Sequence, residues 1–184
     1  MDKNKNTQEV EKQPESTTVV KEIIEWIKAA AIALFVFLII NIFLFPARVD
    51  GDSMLPNFEH GDRLIVNRLA YKDKVPEYED IVIFYCETKN YTLIKRVIGV
   101  PGDQIEIKDG KVYRNGTELN ESRYLSCETI GNINTIVEEG HVFVLGDNRP
   151  DSADSRYAEI GQIPLTEIKG KVLLRLFPNP KIIE

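Results

Sequence analysis

The sequence of 184 residues predicts an all-β fold class, in which a domain of mostly antiparallel strands follows a single N-terminal transmembrane helix. Three observations lead to this prediction. Residues 29–45 form an uncharged apolar run, short segments rich in β-branched and aromatic residues follow it, and turn residues separate those segments. No long helical periodicity follows the apolar run, so the pattern favours an all-β domain over a mixed one.

Residues 1–28 are predicted to form a polar N-terminal tail. The stretch MDKNKNTQEVEKQPEST contains no aromatic residue and a single aliphatic one, Val10. Such a stretch does not bury enough apolar surface to offset the entropy that ordering would cost, so we expect residues 1–20 to be mobile.

Residues 29–46 are predicted to form a membrane anchor. The run AAAIALFVFLIINIFLF contains one polar residue, Asn41, and Pro46 ends it. As a helix the run would extend ~25 Å, against a bilayer core of ~30 Å. A core helix of a soluble domain would be apolar on one face, whereas this run is apolar all round. Similar numbers of Lys and Arg on its two sides leave the orientation open.

A cleavable secretory signal is the alternative interpretation of the apolar run, and two features disfavour it. Up to residue 28 the chain carries five Lys against six acidic residues, so the preceding stretch is not net positive. The sequence Phe45-Pro46-Ala47 places a phenylalanine where cleavage would require a small residue. A retained single span is therefore predicted.

Residues 47–184 are predicted to form the β-rich domain. Ile105 and Ile107 alternate with polar neighbours, as a half-buried strand requires. Asp109-Gly110 and Asn115-Gly116 are strong hairpin signals. The predicted strands are residues 63–67, 81–86, 93–99, 104–108, 111–115, 141–145 and 171–177. Irregular loops are predicted at residues 71–80 and 120–140.

Composition predicts neither nucleic acid as a partner nor a metal or other cofactor. The formal net charge is -6 and the sequence contains no block of five basic residues. Cys86 and Cys127 form no CxxC pair and have no histidine at ligand spacing, so a zinc site is disfavoured. A disulfide between them and two separate thiols both stay open at this stage.

Neither histidine has the surroundings of a catalytic base. His60 lies in a predicted turn, and His141 starts a predicted strand without an obvious serine and acidic partner. The sequence also lacks the GxSxG elbow that many serine hydrolases carry. A structural or surface role is therefore favoured for both histidines.

Lys95 is a candidate for the base that the histidines do not provide. It lies in the predicted strand LIKRVIG, where Lys95 and Arg96 point to opposite faces, so that one can enter the interior while the other reaches water. Burial can lower the pKa of a lysine from ~10.4 by up to ~3–5 units, because desolvation disfavours the charged amine. The alternative is that both residues decorate an edge strand.

Ser53 is the matching candidate for a nucleophile. It lies in DGDSMLP, where Gly51 permits close approach of the backbone and Pro56 restricts the turn. An ordinary turn residue is the alternative for this serine. The polar segment GDNRPDSADSR at residues 146–156 could suggest a calcium loop, but it does not match the EF-hand pattern.

Taken together, three segments resemble those of the bacterial type I signal peptidases, most closely the short Gram-positive form. They are GDSMLP at residues 51–56, KRVIGVPGD at residues 95–103 and GDNRPDSADSR at residues 146–156. They occur in the family's order behind an N-terminal span, and the resemblance covers the chain from the anchor to about Phe177.

The resemblance implies a Ser/Lys dyad. Ser53 would attack the scissile carbonyl, and a neutral Lys95 would accept its proton. Ser152 would hydrogen-bond to Lys95 and orient it. Asp154 and Arg156 would pair and brace the site.

The resemblance also implies that the backbone N–H of Ser53 forms part of an oxyanion hole. Some relatives carry a serine two residues before the nucleophile that donates to the oxyanion. This chain has Gly51 there, so the hole would depend on backbone donors or water. Asn57 and Asp151 stand where Thr and Asn are common, which leaves the dyad intact.

The substrates implied by the resemblance are exported preproteins, cut where small residues occupy the first and third positions before the cleaved bond. Val49 and Ile94 would line the two pockets, and Met54 would lie near the membrane-facing edge. The implied location is the cytoplasmic membrane, with the tail in the cytoplasm and the catalytic domain outside. The lipid membrane and the secretion translocon are the further expected partners.

Two alternatives stay open at this stage. Another Ser/Lys peptidase, such as a self-cleaving repressor, is disfavoured by the span and by the lack of a helix-turn-helix pattern. A catalytically inactive, anchored β domain that binds partners outside the cell is the other. Loss of activity on replacing Ser53 or Lys95 would separate the enzyme from the binding domain.

Overall fold

The structure is a computed structural model that describes residues 16–183. The chain divides into two compact units, which meet between Asn41 and Ile42. The first contains most of the helix α1, Ser16–Phe43, and the second contains the strands. The predicted fold class, antiparallel sheets behind one N-terminal apolar helix, is confirmed.

Helix α1 is long and apolar enough over Val19–Phe43 to cross a membrane, and the side chains of this stretch are exposed. It begins before the predicted anchor, so the prediction of a mobile tail is wrong for residues 16–20. Lys, Glu and Ile follow directly at residues 21–23 and are compatible with helix, and a helix extends readily once its first turn has formed. Residues 1–15, where the rest of the predicted tail falls, lie outside the described residues.

Strand β1, Leu44–Arg48, replaces the last turn of the predicted anchor. It lies at the edge of the larger sheet, where Pro46 is opposite Ile65 of the neighbouring strand. Proline lacks an N–H group and is tolerated on edge strands, where only one side of the backbone pairs. Pro46 therefore marks the entry into the sheet rather than the end of the span.

All seven predicted strands are present, and every strand pairing in the described residues is antiparallel. The strands after β1 are β2 (Arg63–Asn67), β3 (Ile81–Cys86), β4 (Tyr91–Gly99), β5 (Gln104–Lys108), β6 (Lys111–Arg114), β7 (Thr117–Glu118), β8 (Ile133–Ile136), β9 (His141–Leu145), β10 (Ile163–Pro164), β11 (Ile168–Phe177) and β12 (Lys181–Ile182). Short 3₁₀ helices occur at Arg149–Asp151 and Leu165–Glu167. Strand β8 lies within the predicted loop at residues 120–140, so that loop prediction is partly wrong.

The larger sheet has the order β1-β2-β11-β3-β4-β9-β10, with β12 paired to β11, and the smaller sheet has the order β7-β6-β5-β8. Four antiparallel pairings separate β1 from β4, so these two strands run in the same direction. Strand β1 leads into the segment that carries Ser53, and β4 carries Lys95. Ser53 therefore lies in the turn region that follows the end of β1, whereas Lys95 lies in the middle of β4.

The segment after β1 is anchored by three buried apolar side chains, Val49, Met54 and Phe58. They belong to a core cluster that also includes Leu64 on β2 and Ile83 on β3. Because the anchors lie on both sides of Ser53, the turn that carries the serine is held against the sheet. Cys86 and Cys127 are both free, so the disulfide alternative is not realised.

Candidate active site

The turn that carries Ser53 is also held by hydrogen bonds from the segment that follows β9. The backbone N–H of Asn148 donates to the Ser53 carbonyl oxygen at 3.0 Å. The side-chain amide of Asn148 donates to the carbonyl oxygen of Asp52 at 3.0 Å. Asn148 therefore connects two of the three segments that the sequence analysis selected.

The side chains of Ser53 and Lys95 meet. Lys95 Nζ lies 2.7 Å from Ser53 Oγ and donates a second hydrogen bond, at 2.9 Å, to the carbonyl oxygen of Ile94. Lys95 is only 1% exposed. The serine is half-buried, which leaves its hydroxyl within reach of a bound molecule.

Burial lowers the pKa of Lys95 from 10.5 to about 8. The charges of Asp154 and Asp147 act in the opposite direction and raise the pKa, whereas the charge of Arg156 lowers it further. Desolvation outweighs the two carboxylates, because removing water from an ammonium group disfavours its charged form. About a tenth of the amine is therefore neutral at pH 7, and about half at pH 8, and this form is able to accept a proton.

Arg96, the neighbour of Lys95 on β4, does not reach water as its position on the opposite face suggested. It is 6% exposed and forms two hydrogen bonds with Asp147, from Nε at 2.8 Å and from Nη2 at 2.7 Å. The expectation of a solvent-facing side chain is wrong, because a buried carboxylate partner offsets the cost of burying the guanidinium. Strand β4 is thereby bonded to the segment after β9.

Asp154 and Arg156 form a two-pronged ion pair, with Nε–Oδ1 at 2.8 Å and Nη2–Oδ2 at 2.9 Å. Asp154 also accepts a hydrogen bond from the backbone N–H of Gly146 at 3.0 Å. Arg156 donates further to the carbonyl oxygen of Arg149 at 2.6 Å. These hydrogen bonds join residues of the segment 146–156 to one another. They therefore restrict the conformation of its backbone beside Lys95.

The hydrogen bond predicted between Ser152 and Lys95 is not formed in this structure. Ser152 is buried, and its Oγ has no hydrogen-bond partner among the described residues. The amine bonds instead to Ser53 and to the carbonyl oxygen of Ile94. A buried hydroxyl without a partner loses its hydration without compensation, which makes its position costly.

Gly146 lies where any side chain would disturb the site. A Cβ atom added there would be 2.5 Å from the carbonyl oxygen of Ser53 and 2.5 Å from Cβ of Ser152. Real Cβ atoms do not approach backbone oxygen so closely, so the turn of Ser53 would have to move. The absence of a side chain at residue 146 is therefore a requirement of the site.

An open groove of about 520 Å³ ends at Ser53. Its lining consists mostly of apolar side chains from β1, β4 and the strands between them. The lining residues are Phe45, Ala47, Arg48, Val49, Asp50, Ser53, Leu64, Ile83, Tyr91, Thr92, Leu93 and Ile94. Of the three residues predicted to bind substrate, Val49 and Ile94 line the groove, whereas Met54 is fully buried in the core beneath it.

The two predicted oxyanion residues differ in their hydrogen bonding. The backbone N–H of Gly51 donates to Nδ1 of His60 at 3.2 Å, and Gly51 has a φ of 94°, which favours glycine. No described residue accepts a hydrogen bond from the N–H of Ser53. Of the two donors, only that of Ser53 is without an intramolecular acceptor.

Several residues of the site were not identified from the sequence. Asp147 and Asn148 lie within the recognised segment GDNRPDSADSR, whose density of polar residues was the available signal. The groove residues Phe45, Tyr91 and Leu93 have ordinary strand patterns that do not distinguish a lining residue from a core residue. A structural or surface role was favoured for His60, but the hydrogen bond that it accepts from Gly51 was not predicted.

An antiparallel β domain with an apolar groove, in which a serine hydroxyl lies beside a buried lysine amine, has an arrangement suited to a hydrolase. The family model described as signal peptidase, peptidase S26, matches residues 23–177. The chain is 38% identical over 156 residues to probable signal peptidase I-1 of Synechocystis sp., covering 80% of this chain and 79% of that protein. It is 36% identical over 178 residues to signal peptidase IB of Staphylococcus aureus, covering 86% of this chain and 91% of that one.

A crystal structure of a signal peptidase I from Enterococcus faecalis is 34% identical, with a TM-score of 0.46, and the match covers 53% of this chain and 97% of that one. From the family match and the curated relatives, the chain belongs to the signal peptidase family, peptidase S26. The resemblance drawn from the three sequence segments is thus confirmed, and the protein is a peptidase.

Proposed function

We propose that the protein is a type I signal peptidase that cleaves signal peptides from exported preproteins with Ser53 as nucleophile and Lys95 as general base. One observation carries the proposal: the hydroxyl of Ser53 lies 2.7 Å from the amine of a buried lysine. This distance permits direct proton transfer, and the lowered pKa of Lys95 makes its neutral form available.

The reaction would proceed through an acyl-enzyme. The Ser53 O–H donates to the neutral amine of Lys95, loses its proton to it, and attacks the scissile carbonyl carbon. The ammonium group then returns the proton to the leaving amine as the peptide bond breaks. In the second half of the reaction, Lys95 takes a proton from a water molecule as the water oxygen attacks the ester carbon. Lys95 then gives this proton to Ser53 Oγ as the ester bond breaks, which restores the hydroxyl and the neutral amine.

Charge on the carbonyl oxygen of the intermediate would be stabilised by the backbone N–H of Ser53. This donor has no acceptor among the described residues, whereas the N–H of Gly51 is engaged by His60. A donor without a partner is available to an oxyanion without breaking an existing bond. Gly51 would then support the hole through the shape of its turn.

Ser152 would hold the amine of Lys95 after Ser53 has become acylated. Its buried hydroxyl is unpaired in this structure and belongs to the same segment as Asp154 and Arg156. Acylation removes the Ser53 proton and engages its oxygen, so Lys95 needs another partner during hydrolysis. The ion pair of Asp154 and Arg156 would brace the segment during this exchange.

The groove would hold the preprotein as an extended peptide between β1 and β4. Successive side chains of an extended peptide point to opposite sides, so the first and third residues before the cut face the same wall. Val49 and Ile94 belong to that lining, and we expect them to restrict the two pockets to small side chains. A preference for small residues at those two positions follows.

The apolar stretch Val19–Phe43 would anchor the enzyme in the cytoplasmic membrane. Residues 1–28 would begin on the cytoplasmic side, residues 29–46 would include the span, and residues 47–184 would act on the outer face. Preproteins held in the lipid membrane, or leaving the secretion translocon, would then meet the enzyme at a high effective concentration.

Cleavage of a synthetic preprotein with an Ala-x-Ala site tests the proposal. Purified wild type, Ser53→Ala and Lys95→Ala are compared in detergent, with the cut site determined by mass spectrometry. Lys72→Ala, which replaces an exposed lysine outside the groove, serves as the matched control. We expect cleavage after the second alanine by wild type and control, and a rate at least 1,000-fold lower in both dyad variants, on the order seen when a triad member is removed.

Other outcomes would change the assignment. If only Ser53→Ala loses activity, the serine is retained and the base must be sought elsewhere. Equal cleavage by all variants points to a contaminating peptidase. If folded wild type does not cut, an anchored domain that binds partners becomes the better assignment.

A further inference from the structure

The loop of residues 119–131, here called the brace loop, connects β7 to β8. It contacts Asn57, just after the first segment of the site, and residues of the other two segments. It contributes no described residue to the lining of the groove. Three of its side chains, Glu121, Tyr124 and Thr129, are buried, which is unusual for polar groups on a connecting loop.

Tyr124 contacts the segments of both dyad residues. Its carbonyl oxygen accepts a hydrogen bond at 2.8 Å from the side-chain amide of Asn57, which follows the Ser53 turn. Its ring packs against the guanidinium of Arg96, the neighbour of Lys95, with 4.0 Å between the guanidinium carbon and the ring centre. Asn57 and Arg96 also share Asp147 as an acceptor. The four residues form one connected cluster, and none of them lines the groove.

Glu121 connects the brace loop to the segment after β9. Arg149 is 1% exposed and donates to Glu121 through Nη2 at 2.5 Å and Nη1 at 3.1 Å. Through Nε, Arg149 also donates to the carbonyl oxygen of Gly146 at 2.9 Å. The hydroxyl of Tyr124 donates to Glu121 at 3.0 Å, so the two loop residues support each other. Burial raises the pKa of Tyr124, which keeps this hydroxyl protonated and able to donate.

The smaller sheet holds both ends of the brace loop. The backbone N–H of Leu119 donates to the carbonyl oxygen of Val112 at 2.9 Å, and that of Thr129 donates to the carbonyl oxygen of Gly110 at 2.8 Å. Gly110 is in the β5–β6 hairpin turn and Val112 is on β6. The smaller sheet, whose residues all lie outside the described lining of the groove, is thus connected to the dyad through this loop.

We propose that Tyr124 and Glu121 are positioning residues that hold the strand of Lys95 and the turn of Ser53 in register, with the smaller sheet as their support. This inference rests on the proposed Ser/Lys function. Removing the Tyr124 ring frees one face of Arg96, and the adjacent backbone of Lys95 then becomes mobile and better hydrated. Turnover falls because small displacements of reacting groups are costly, whereas substrate affinity is maintained because the groove is untouched.

Tyr124→Leu, Tyr124→Phe and a matched control, Tyr113→Leu, test this role. Phenylalanine keeps the ring on Arg96 and loses only the hydroxyl. Tyr113 lies on β6 of the smaller sheet, where Lys108 packs on its ring at 5.0 Å, so it loses the same kind of contact away from the dyad. For Tyr124→Leu we expect kcat to fall at least tenfold with KM within twofold of wild type. Tyr124→Phe is expected to restore most of kcat, and Tyr113→Leu to keep wild-type turnover per active site.

The second readout is the titration of Lys95 itself, which is monitored by carbon-13 NMR of its Cε. The Lys95 signal is assigned as the one that is missing in Lys95→Ala. A better hydrated amine is more basic, so the titration midpoint in Tyr124→Leu should move at least 0.5 pH unit upward, towards the ~10.4 of a free lysine. This readout needs no catalysis. If wild type proves inactive but the midpoint still moves in Tyr124→Leu and not in Tyr113→Leu, the positioning inference stands and the proposed function fails.

The inference is overturned if Tyr124→Leu keeps both the wild-type kcat and the wild-type midpoint. It is also overturned if KM rises while kcat does not fall. In a third contrary result, covalent labelling of Ser53 shows that a smaller fraction of the Tyr124→Leu protein is active. The turnover per labelled site and the titration midpoint of Lys95 are both unchanged. That result would show that Tyr124 supports folding only.

Discussion

Lys95 Nζ lies 2.7 Å from Ser53 Oγ, although 42 positions separate the two residues along the chain. The amine is buried, and the pKa of Lys95 is lowered to about 8 because desolvation outweighs the attraction of nearby carboxylates. The hydroxyl faces an apolar groove between β1 and β4.

Activity should increase with pH up to about 8. Only the neutral form of Lys95 accepts the Ser53 proton, and its pKa is about 8. Below that pH the neutral fraction falls about tenfold per unit, so kcat/KM should fall in the same proportion. The measurement is kcat/KM between pH 5 and pH 10 at constant ionic strength. A rate that is flat from pH 6 to pH 8, or that rises only near pH 10, would contradict the role given to Lys95.

Stability should also depend on the protonation of Lys95. Its pKa is about 8 in the folded protein and ~10.4 in an unfolded chain, so between these values the unfolded state binds more protons. The free energy of unfolding therefore rises with pH across this window. Below about pH 8 the buried amine is mostly charged, and it lowers the free energy of unfolding by its full amount, roughly 3 kcal/mol for a pKa shift of this size.

Denaturant unfolding of wild type and Lys95→Met at pH 7 and pH 10 measures this effect. The free energy of unfolding of Lys95→Met should exceed that of wild type by the largest amount at pH 7, and by less at pH 10. Because the other titrating groups are the same in both proteins, their contribution cancels in this difference. If the difference is the same at both pH values, the pKa of Lys95 is not lowered.

Gly146→Ala should abolish activity. The added methyl group would lie 2.5 Å from the carbonyl oxygen of Ser53, so the turn would have to move and the dyad distance would lengthen. Gly99→Ala is the matched control, because its methyl group would meet side-chain atoms of Ile105 at 2.8 Å, on the smaller sheet.

Both glycine variants should lose stability through overpacking, by about 1–3 kcal/mol each. Measured on folded protein with the preprotein assay, only Gly146→Ala should lose activity, by at least 100-fold. Equal activity of the two variants would show that the close packing of Gly146 against Ser53 is not required.

Ser152→Ala should lower activity without lowering stability. The hydroxyl is buried and has no partner among the described residues, so its removal costs no existing hydrogen bond and relieves an unsatisfied group. If Ser152 holds Lys95 during hydrolysis of the acyl-enzyme, kcat should fall at least tenfold. Ser155→Ala is the comparison, since the Ser155 hydroxyl already accepts a hydrogen bond from the Val144 N–H and its loss should mainly reduce stability.

Thermal unfolding and single-turnover kinetics of the two serine variants distinguish these effects. A Ser152→Ala enzyme with full activity would remove this residue from the mechanism. A fall in melting temperature with unchanged kcat would assign it a purely structural role.

Much of the fold was predictable because its signals are local. The alternation of Ile105 and Ile107 follows from the twofold repeat of a strand, and Asp109-Gly110 from the backbone conformation of a tight hairpin turn. The predictions that were wrong lie where long-range pairing decided the structure. Pro46 entered an edge strand because β2 was available to pair with it, and β8 formed from a polar stretch beside β5.

By itself, the sequence determined the apolar helix, seven of the strands, and the three segments that carry Ser53, Lys95 and the residues after Gly146. Only the tertiary structure decided that Ser53 and Lys95 meet, that Arg96 is buried against Asp147, and that Ser152 is unpaired. The physical reason is that strand and turn signals depend on neighbouring residues. Burial, and therefore the pKa of a lysine, depends on which distant segments pack around it.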